Sequence, residues 1–388
     1  MNTLLYSGSS PRVVIFRSEL LPISETFIGE QAGALKRFEP VYAGLKEIGS
    51  GLPRSARSIL LAASDTRFAM FKKLVYQLSG YGPAFQSQIR ETQPLLIHAH
   101  FALDAIAALP IAKHLGVPLI VSLHGYDITT SDNGFRTSVS GLLYLMRRRE
   151  LWERVHTFLC VSEFIQSKAI EAGFPSEKLR VQYTGVDCDI FAHSDKPRDG
   201  SILFVGRLVQ KKGCEFLISS MAEVHRTFPS TSLKIIGDGP LRNKLQAQAN
   251  RLNVPVRFLG ALPACQVRDY MSRASIFCVP SLRADNGDSE GFGMVFAEAQ
   301  AMGTPVVSFS HGGLPEAVED GRTGLLVPER DTQALTAAII RLLGDDELWQ
   351  SFSARGSARV RNNFSLTKQT RALEDIYLSV GAPRTSEK

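Results

Sequence analysis

Two glutamates eight positions apart, Glu290 and Glu298, flank a glycine-rich turn with the residue types of a ligand site. The turn begins with Gly291, Phe292 and Gly293, and it follows a strand-like apolar run, Ile276–Val279. A strand, a glycine turn and a new helix can bind anions, because glycines admit a ligand to the backbone and the helix N-terminus presents free N–H groups. Glu298 lies more than one turn into the helix, so the two carboxylates can hold different parts of an elongated ligand. This arrangement points to a nucleotide sugar.

A second set of charged residues follows the candidate strand Ile202–Val205. Gly206 and Arg207 come directly after this strand, and Lys212 follows Arg207 by five residues. An arginine fork and a lysine point charge at one strand end can place two cations over one diphosphate. Such cations stabilise the charge that develops on a nucleoside-diphosphate leaving group, which is a transition-state role. A basic surface turn is the alternative, and the glutamate pair favours the diphosphate site.

Gly237 and Gly239 close the next candidate strand, Leu233–Ile236. The segment lacks the third glycine of a dinucleotide fingerprint because Arg242 stands there, which argues against NAD. A glycine pair at this edge of a sheet still permits close approach of a base or ribose, and a simple tight turn is the alternative. The chain has no P-loop sequence, so ATP hydrolysis by a P-loop enzyme is disfavoured.

Three histidines lie at candidate strand ends in the N-terminal half. His124 follows a strand and is succeeded by Gly125, Tyr126 and Asp127, while His98 and His100 flank the end of another strand. A histidine beside a glycine at the C-terminal end of a strand can reach a ligand at the switch point of the sheet. We predict a functional role for His124 and a packing role for His98, and the pattern does not decide the role of His100.

A short polar segment, Ser24, Glu25 and Thr26, follows Pro22 near the N-terminus. Its residue types are those that open a helix as an N-cap with early acidic residues. The same residues can also contact a ligand, and the two roles are compatible.

The sequence predicts no metal site. Asp285 and Asp288 have no histidine or further acidic cluster at ligand spacing, so a solvated loop is predicted there. The five cysteines are odd in number and include no C-x-x-C pair. A reduced compartment fits this pattern, whereas a disulfide framework or a zinc site does not.

Both halves of the chain alternate short apolar runs with helical patterns, which is typical of parallel sheets covered by helices. The remaining candidate strands are Val13–Phe16, Leu95–His98, Leu119–Leu123, Phe158–Val161, Val256–Leu259 and Val306–Ser308. Gly, Asp and Pro break the pattern over 186–200, which predicts a linker between a domain over 1–185 and a domain over 201–365. Ser365 has the residue type of an N-cap for a last helix over 366–380, and a disordered tail is predicted over 381–388.

The formal charge is +6, and residues 1–185 carry most of the excess, with 20 Lys+Arg against 15 Asp+Glu. Large apolar residues are interleaved there with Arg54, Arg57, Arg67, Lys72 and Lys73. This pattern fits a basic amphipathic helix on an anionic membrane, and equally a helix with its apolar side in the core and a solvated basic face. No nucleic-acid-binding motif accompanies the charge, so no nucleic-acid partner is predicted. We expect a cytoplasmic chain, because no apolar run approaches the roughly 18 to 20 residues that span a bilayer and no secretory pattern is present.

Four C-terminal segments together resemble the retaining glycosyltransferases of family 4. They are Gly206-Arg207 with Lys212-Gly213, the Gly237–Pro240 turn, the Glu290/Glu298 pair and Gly312–Glu316. Four further segments are similar to the colanic-acid and exopolysaccharide branch of that family: Ser24–Phe27, His98–Phe101, His124–Asp127 and Asp285–Ser289. The resemblance covers nearly the whole chain. It implies the α/β GT-B fold, with two Rossmann-like doubly wound parallel-sheet domains facing an interdomain cleft and a C-terminal helix crossing back to the N-terminal domain.

The resemblance also implies roles for individual residues. Arg207 and Lys212 would contact the donor diphosphate, Glu298 the ribose hydroxyls, and Glu290 with the amides of Phe292 and Gly293 the donor sugar. His124 would lie near the reacting sugar. The glycines assigned to the donor site are Gly206, Gly237, Gly239, Gly291 and Gly293, and the residues assigned to the acceptor are Ser24, Glu25, Thr26, His100 and Asp127. Family members often carry a proline where this chain has Gly293, so donor identity is not transferred.

We therefore predict a metal-independent, cofactor-free retaining hexosyltransferase. It would use a UDP- or GDP-sugar and a saccharide acceptor, carried on a polyprenyl or other lipid, in exopolysaccharide biosynthesis. The resemblance implies same-face attack, with the departing phosphate taking the acceptor proton. Two alternatives stay open, namely a sugar-nucleotide epimerase of similar fold and a non-catalytic nucleotide-sugar-binding protein.

Overall fold

A computed structural model describes residues 10–20, 25–48, 57–62, 66–193 and 196–382. The chain forms two compact units. The first comprises Met1–Gly185 with Leu366–Lys388, and the second comprises Val186–Ser365. Each unit contains a parallel sheet covered by helices.

The described residues of the first unit form nine short strands. They are β1 (Arg12–Phe16), β2 (Glu19–Leu20), β3 (Glu39–Gly44), β4 (Lys46–Glu47), β5 (Ser58–Leu60), β6 (Pro94–His100), β7 (Leu119–Leu123), β8 (Thr157–Cys160) and β9 (Leu179–Val181). Seven of them form one sheet in the order β5-β3-β1-β6-β7-β8-β9, and every pairing is parallel. The central strands are apolar and buried on both faces, as a sheet with helices on both sides requires.

Among the residues that the structure describes before position 186, eight form α-helices of the first unit. They are α1 (Thr26–Gly33), α2 (Arg67–Ser79), α3 (Pro83–Glu91), α4 (Ala102–Leu115), α5 (Tyr126–Thr129), α6 (Asp132–Phe135), α7 (Val139–Arg154) and α8 (Glu163–Glu171). Hydroxyl side chains accept from backbone amides at the N-caps of four of them: Thr66, Ser131, Ser138 and Ser162. These caps satisfy amide groups that the first helical turn leaves without partners.

Outside residues 194–195, the second unit has six parallel strands: β10 (Ser201–Val205), β11 (Ser232–Ile236), β12 (Val256–Gly260), β13 (Ile276–Cys278), β14 (Val306–Phe309) and β15 (Gly324–Val327). Their order is β12-β11-β10-β13-β14-β15, the strand order of a doubly wound Rossmann sheet. The helices are α9 (Cys214–Thr227), α10 (Arg242–Leu252), α11 (Ala264–Arg273), α12 (Met294–Ala301), α13 (Leu314–Ala317), α14 (Thr332–Gly344) and α15 (Asp346–Asn363). The order reverses between β10 and β13, where such sheets bind ligands.

The last helix, α16 (Leu366–Gly381), belongs to the first unit. It buries Leu373, Tyr377 and Val380 in the core cluster that also contains Phe38. The Glu374 carboxylate accepts two backbone N–H bonds at 36–37 and forms an ion pair with the Arg37 guanidinium. The predicted helix is confirmed and extends by one residue, and the tail prediction lies outside the described residues from 383 onward.

The segment predicted as a linker, 186–200, packs with the second unit. The Val186 amide donates to the Phe364 carbonyl at 2.8 Å, and the Asp199 amide donates to the Arg273 carbonyl at 2.9 Å. Hydrogen bonds near both ends therefore attach this segment to one unit, although residues 194–195 lie outside the described residues.

Candidate active site

Two loops that carry predicted site residues begin at the switch point of the second sheet. Gly206 directly follows β10, and a short 3₁₀ helix at Gln210–Lys212 comes after it. Glu290 lies in the loop between β13 and α12. Because β10 and β13 are neighbours in the sheet, residues far apart in the sequence meet at its carboxyl edge.

Lys212 and Glu290 form an ion pair at this edge. Lys212 Nζ donates to Glu290 Oε2 at 2.5 Å, and each side chain is 14% exposed. Burial acts to raise the pKa of Glu290, but the charges of Lys212 and Lys211 outweigh it and hold the pKa at about 2. The structure thus provides an ionised carboxylate and a fixed cation at the switch point.

Two further contacts run beside this ion pair. Gln210 Nε2 donates to Asp285 Oδ2 at 2.9 Å, and Lys211 Nζ donates to Asp288 Oδ1 at 3.0 Å. The Asp288 side chain is largely buried. The prediction of a solvated loop is therefore wrong for Asp288, because Lys211 binds its carboxylate. Within the described ranges, no group of three metal-ligating side chains could hold an ion.

The glycine turn after Glu290 has a backbone shape that proline cannot adopt. Gly293 has φ +84, whereas the proline ring fixes φ near −65°. A Cβ atom at Gly313 would lie 1.9 Å from the Gly291 carbonyl oxygen, and the Gly313 amide donates to the Glu290 carbonyl at 3.0 Å. The loop after β14 thus packs backbone to backbone against the Glu290 turn.

Sequence reasoning missed a buried histidine in the loop after β14. His311 Nδ1 lies 2.8 Å from Glu329 Oε2, and Glu329 Oε1 also accepts from the Arg283 amide at 3.1 Å. Burial lowers the pKa of His311, although Glu329 opposes this shift. Glu329 therefore connects the loops that follow β13, β14 and β15. The signal was available, since His311 precedes a glycine at a strand end as His124 does.

The other predicted donor residues lie around the same edge. Arg207 is exposed, and Glu298 is half-buried on α12. The turns that contain Gly206, Gly237 and Gly239 are joined, because the Gly206 amide donates to the Ile236 carbonyl at 3.0 Å. The Phe292 ring is buried against Phe364, so only backbone groups of Phe292 are placed to meet a ligand.

The three histidines predicted at strand ends lie next to one another in the first unit. His98 Nδ1 lies 2.6 Å from the Tyr377 hydroxyl, and His98 Nε2 lies 2.8 Å from Ser122 Oγ, which confirms its packing role. His100 is also buried, and its Nδ1 lies 3.0 Å from His124 Nε2. His124 is less buried, and its ring contacts Phe101. The role of His124 beside a reacting sugar stays a prediction.

Asp127 holds the loop that carries His124. Its Oδ1 accepts from the His124 and Gly125 amides, and its Oδ2 accepts from the Ala102 amide. Burial raises the pKa of Asp127 to about 6, against the effect of these amide bonds. Both carboxylate oxygens are used inside the unit, so Asp127 can affect an acceptor only through the loop that it holds.

Sequence reasoning also missed an ion-pair network around Arg17. The Arg17 guanidinium binds Glu25 through two hydrogen bonds of 2.8 and 2.9 Å and also pairs with Asp104. All three side chains are largely buried. Burial acts to lower the pKa of Arg17, but the two carboxylates outweigh it and raise the pKa.

The predicted N-cap residues take different positions. Glu25 occupies the N-cap position of α1 but makes no capping bond with its side chain, which binds Arg17 instead. Thr26 is half-buried at the start of the helix. Ser24 lies outside the described residues.

The buried histidines predict an acid sensitivity of the first unit. Burial lowers the pKa of His98 to about 3 and that of His100 well below 6.5. Because the pKa values of the folded state lie below the unfolded value, the neutral histidines make their full contribution to the unfolding free energy above pH 6.5. This contribution is lost as the pH falls toward 3. Between pH 7 and pH 5, His98 should lower the unfolding free energy by about 2 kcal/mol, and His100 should lower it further.

Urea unfolding in a Trp349→Phe background measures this effect, because Trp152 then reports on the first unit alone. A His98→Gln variant should show a shallower decline between pH 7 and pH 5 than its parent. Equal declines in the two proteins would contradict the assignment.

Comparison with known proteins identifies the family. Residues 199–345 match the family model described as glycosyl transferases group 1, and residues 50–190 match the model described as glycosyltransferase family 4. The phosphatidyl-myo-inositol mannosyltransferase of Mycobacterium tuberculosis (strain CDC 1551) is 31% identical over 291 residues, covering 72% of this chain and 74% of that protein. The chain belongs to glycosyltransferase family 4. This glycosyltransferase is also 29% identical over 291 residues to the putative colanic acid biosynthesis glycosyltransferase WcaL of Salmonella typhimurium (strain LT2), covering 73% of this chain and 70% of that protein.

Two solved structures share the fold of this chain. Anabaena Alr3699/HepE, in complex with UDP and glucose, superposes with a TM-score of 0.75 at 20% identity over 95% of this glycosyltransferase and 99% of that chain. Sucrose-phosphate synthase from Thermosynechococcus elongatus gives a TM-score of 0.75 at 21% identity over 95% and 98%. The predicted GT-B fold with two Rossmann-like domains is confirmed.

Proposed function

We propose that this glycosyltransferase moves a hexose from a nucleotide sugar to a saccharide acceptor with retention of configuration and without a metal ion. The observation that carries the proposal is the buried Lys212–Glu290 ion pair at the switch point of the second sheet. A fixed cation at this edge suits the negative charge of a departing nucleoside diphosphate. The UDP and glucose named in the Alr3699/HepE complex support a donor of this class.

In this proposal, different residues of the second unit bind different parts of the donor. Arg207 and Lys212 bind the diphosphate, and Glu298 binds the ribose hydroxyls. Glu290 and the turn amides that follow it position the sugar. The tight packing of the Gly313 backbone against the turn holds those amides in place before the donor arrives, which lowers the cost of ordering them.

We place the acceptor on the first unit and take it to be a lipid-linked saccharide. The relatives support this choice, since one is named for colanic acid biosynthesis and another for phosphatidyl-myo-inositol, a lipid acceptor. The glycosyltransferase would then work in the cytoplasm at the inner face of the membrane. In the described part of the chain, no helix is long and apolar enough to cross a bilayer.

Thermal stabilisation by nucleotides tests the donor site. UDP, GDP, ADP, dTDP and their sugar conjugates are added in turn, and one base should raise the melting temperature. A ligand at about 100 times its dissociation constant adds about 2.7 kcal/mol of stability. Lys212→Ala should lose the shift, whereas Lys244→Ala, an exposed lysine of the same unit, should keep it. Absence of a shift with every nucleotide, or a full shift in Lys212→Ala, would refute the donor site.

A further inference from the structure

Helix α2 of the first unit exposes the side chains that an amphipathic helix normally buries. Five large apolar residues on it are 41–77% exposed: Phe68, Met70, Phe71, Leu74 and Leu78. Its buried residues are Ala69 and Tyr76, and the Tyr76 hydroxyl donates to the Ala107 carbonyl at 2.9 Å. The core interpretation of this segment is therefore wrong, because the helix attaches to the unit by a narrow stripe and presents its larger apolar side outward.

The basic segment is also shorter than its charge pattern suggests. The helix begins at Arg67, with Thr66 as its N-cap. Arg57 lies beside strand β5, and Arg54 lies outside the described residues. The cations that share the helix with the exposed apolar residues are thus Arg67, Lys72 and Lys73.

Helix α7 extends the apolar surface. It packs against α2 and exposes Val139, Leu142 and Met146. These residues are spaced by three and four positions, so they lie on one face of the helix. We call the eight exposed residues of α2 and α7 the apolar face. Monomeric proteins rarely expose so many large apolar side chains on two neighbouring helices without a partner.

The charges around the apolar face select the kind of partner. Helix α2 has three basic residues and no acidic residue. Arg149 is exposed on α7, one turn beyond Met146. Cations beside exposed Phe, Leu and Met are typical of helices that lie in the headgroup region of an anionic bilayer. A symmetric contact between two copies would place these cations against each other, which disfavours a dimer.

We propose that the apolar face inserts into the headgroup region of an anionic lipid membrane and holds the first unit on its surface. Phe68, Phe71 and Leu74 enter the boundary of the acyl chains, and Lys72 stays at the level of the lipid phosphates. This binding does not depend on the proposed transfer reaction, although it would bring the first unit to a lipid-linked acceptor.

Vesicle flotation of the full chain tests the proposal without any nucleotide sugar. Vesicles of phosphatidylcholine with about a third phosphatidylglycerol should bind the protein, and pure phosphatidylcholine should bind it at least about tenfold more weakly. Phe68→Ser combined with Phe71→Ser should lower binding by about tenfold or more, because each removes buried apolar area. Lys72→Glu should lower binding to the anionic vesicles by about tenfold.

Matched variants of the same unit distinguish binding through the apolar face from nonspecific binding to lipid. Ile170 is half-exposed on α8, and Lys113 is exposed on α4. Ile170→Ser and Lys113→Glu should bind the vesicles as the wild type does. All variants should keep the wild-type melting temperature and the stabilisation by the nucleotide, so loss of lipid binding and failure of the donor site remain distinct results.

Three outcomes would overturn the proposal. The first is no binding of the wild type to anionic vesicles. The second is equal loss of binding in the Phe68/Phe71 and Ile170 variants. The third is a concentration-dependent dimer that the Phe68→Ser/Phe71→Ser variant abolishes, since the apolar face would then be an interface between two copies.

Discussion

Replacement of Lys212 by alanine is expected to lower the turnover of this glycosyltransferase by about 10²-fold. Lys212 is the cation nearest to Glu290 and supplies the positive charge proposed to stabilise the leaving diphosphate. The change also leaves the Glu290 carboxylate buried without its partner, so part of the loss reflects a disturbed turn. Turnover is measured at saturating donor and acceptor, with the donor identified from the stabilisation screen.

Two controls isolate the effect of the Lys212 charge. Lys244→Ala removes an exposed lysine from α10 and should leave turnover unchanged. Lys212→Arg keeps the cation and should retain more activity than Lys212→Ala. Unchanged turnover in Lys212→Ala would remove Lys212 from the mechanism, whatever its effect on donor affinity.

Replacement of Arg17 by methionine should cost about 3–5 kcal/mol of the unfolding free energy of the first unit. Glu25 and Asp104 would keep their burial but lose the guanidinium that neutralises both. The loss is measured by urea unfolding in the Trp349→Phe background. Activity is expected to fall as well, because Arg17 stacks on Phe101, whose ring contacts His124.

Arg12, at the opposite end of β1 from Arg17, provides the control. Arg12 pairs with Glu39 near the surface, so Arg12→Met should cost about 1 kcal/mol or less. Adding Glu25→Gln and Asp104→Asn to Arg17→Met should restore part of the stability, because no uncompensated charge then remains. Equal losses in Arg12→Met and Arg17→Met would show that burial of the network contributes nothing.

The fold could be predicted wherever a strand is apolar on both faces. Leu119–Leu123 coincides with β7, and the pattern at Leu233–Ile236 misses β11 by one residue. The hydrophobic pattern does not predict β3, whose first two residues are Glu39 and Pro40. It also does not predict three-residue edge strands such as β9, which are too short to show an alternation of apolar and polar residues. The hydrophobic pattern of a segment therefore predicts whether that segment is buried. It is a poor predictor of how strands pair at the edges of a sheet.

The active site could be predicted only where its residues carry a local motif. Lys212 follows a strand and Gly206, and Glu290 follows a strand and precedes Gly291, but the contact between them spans 78 residues and depends on strand order. Arg17 meets Asp104 across 87 residues with no motif around either residue. The partner of a buried charge is set by tertiary packing, so sequence pattern alone does not reveal it.

The return of α16 to the first unit has a consequence for biosynthesis. A ribosome synthesises the whole second unit before it adds Leu373, Tyr377 and Val380, and these residues complete the core cluster of the first unit. The core of the first unit therefore stays incomplete, with part of it exposed, until α16 has been made and has left the ribosome. A stop codon after Ser365 would release a second unit complete in sequence beside a first unit without its last core helix. Protection from aggregation during synthesis should thus matter more for the N-terminal unit than for the one that follows it.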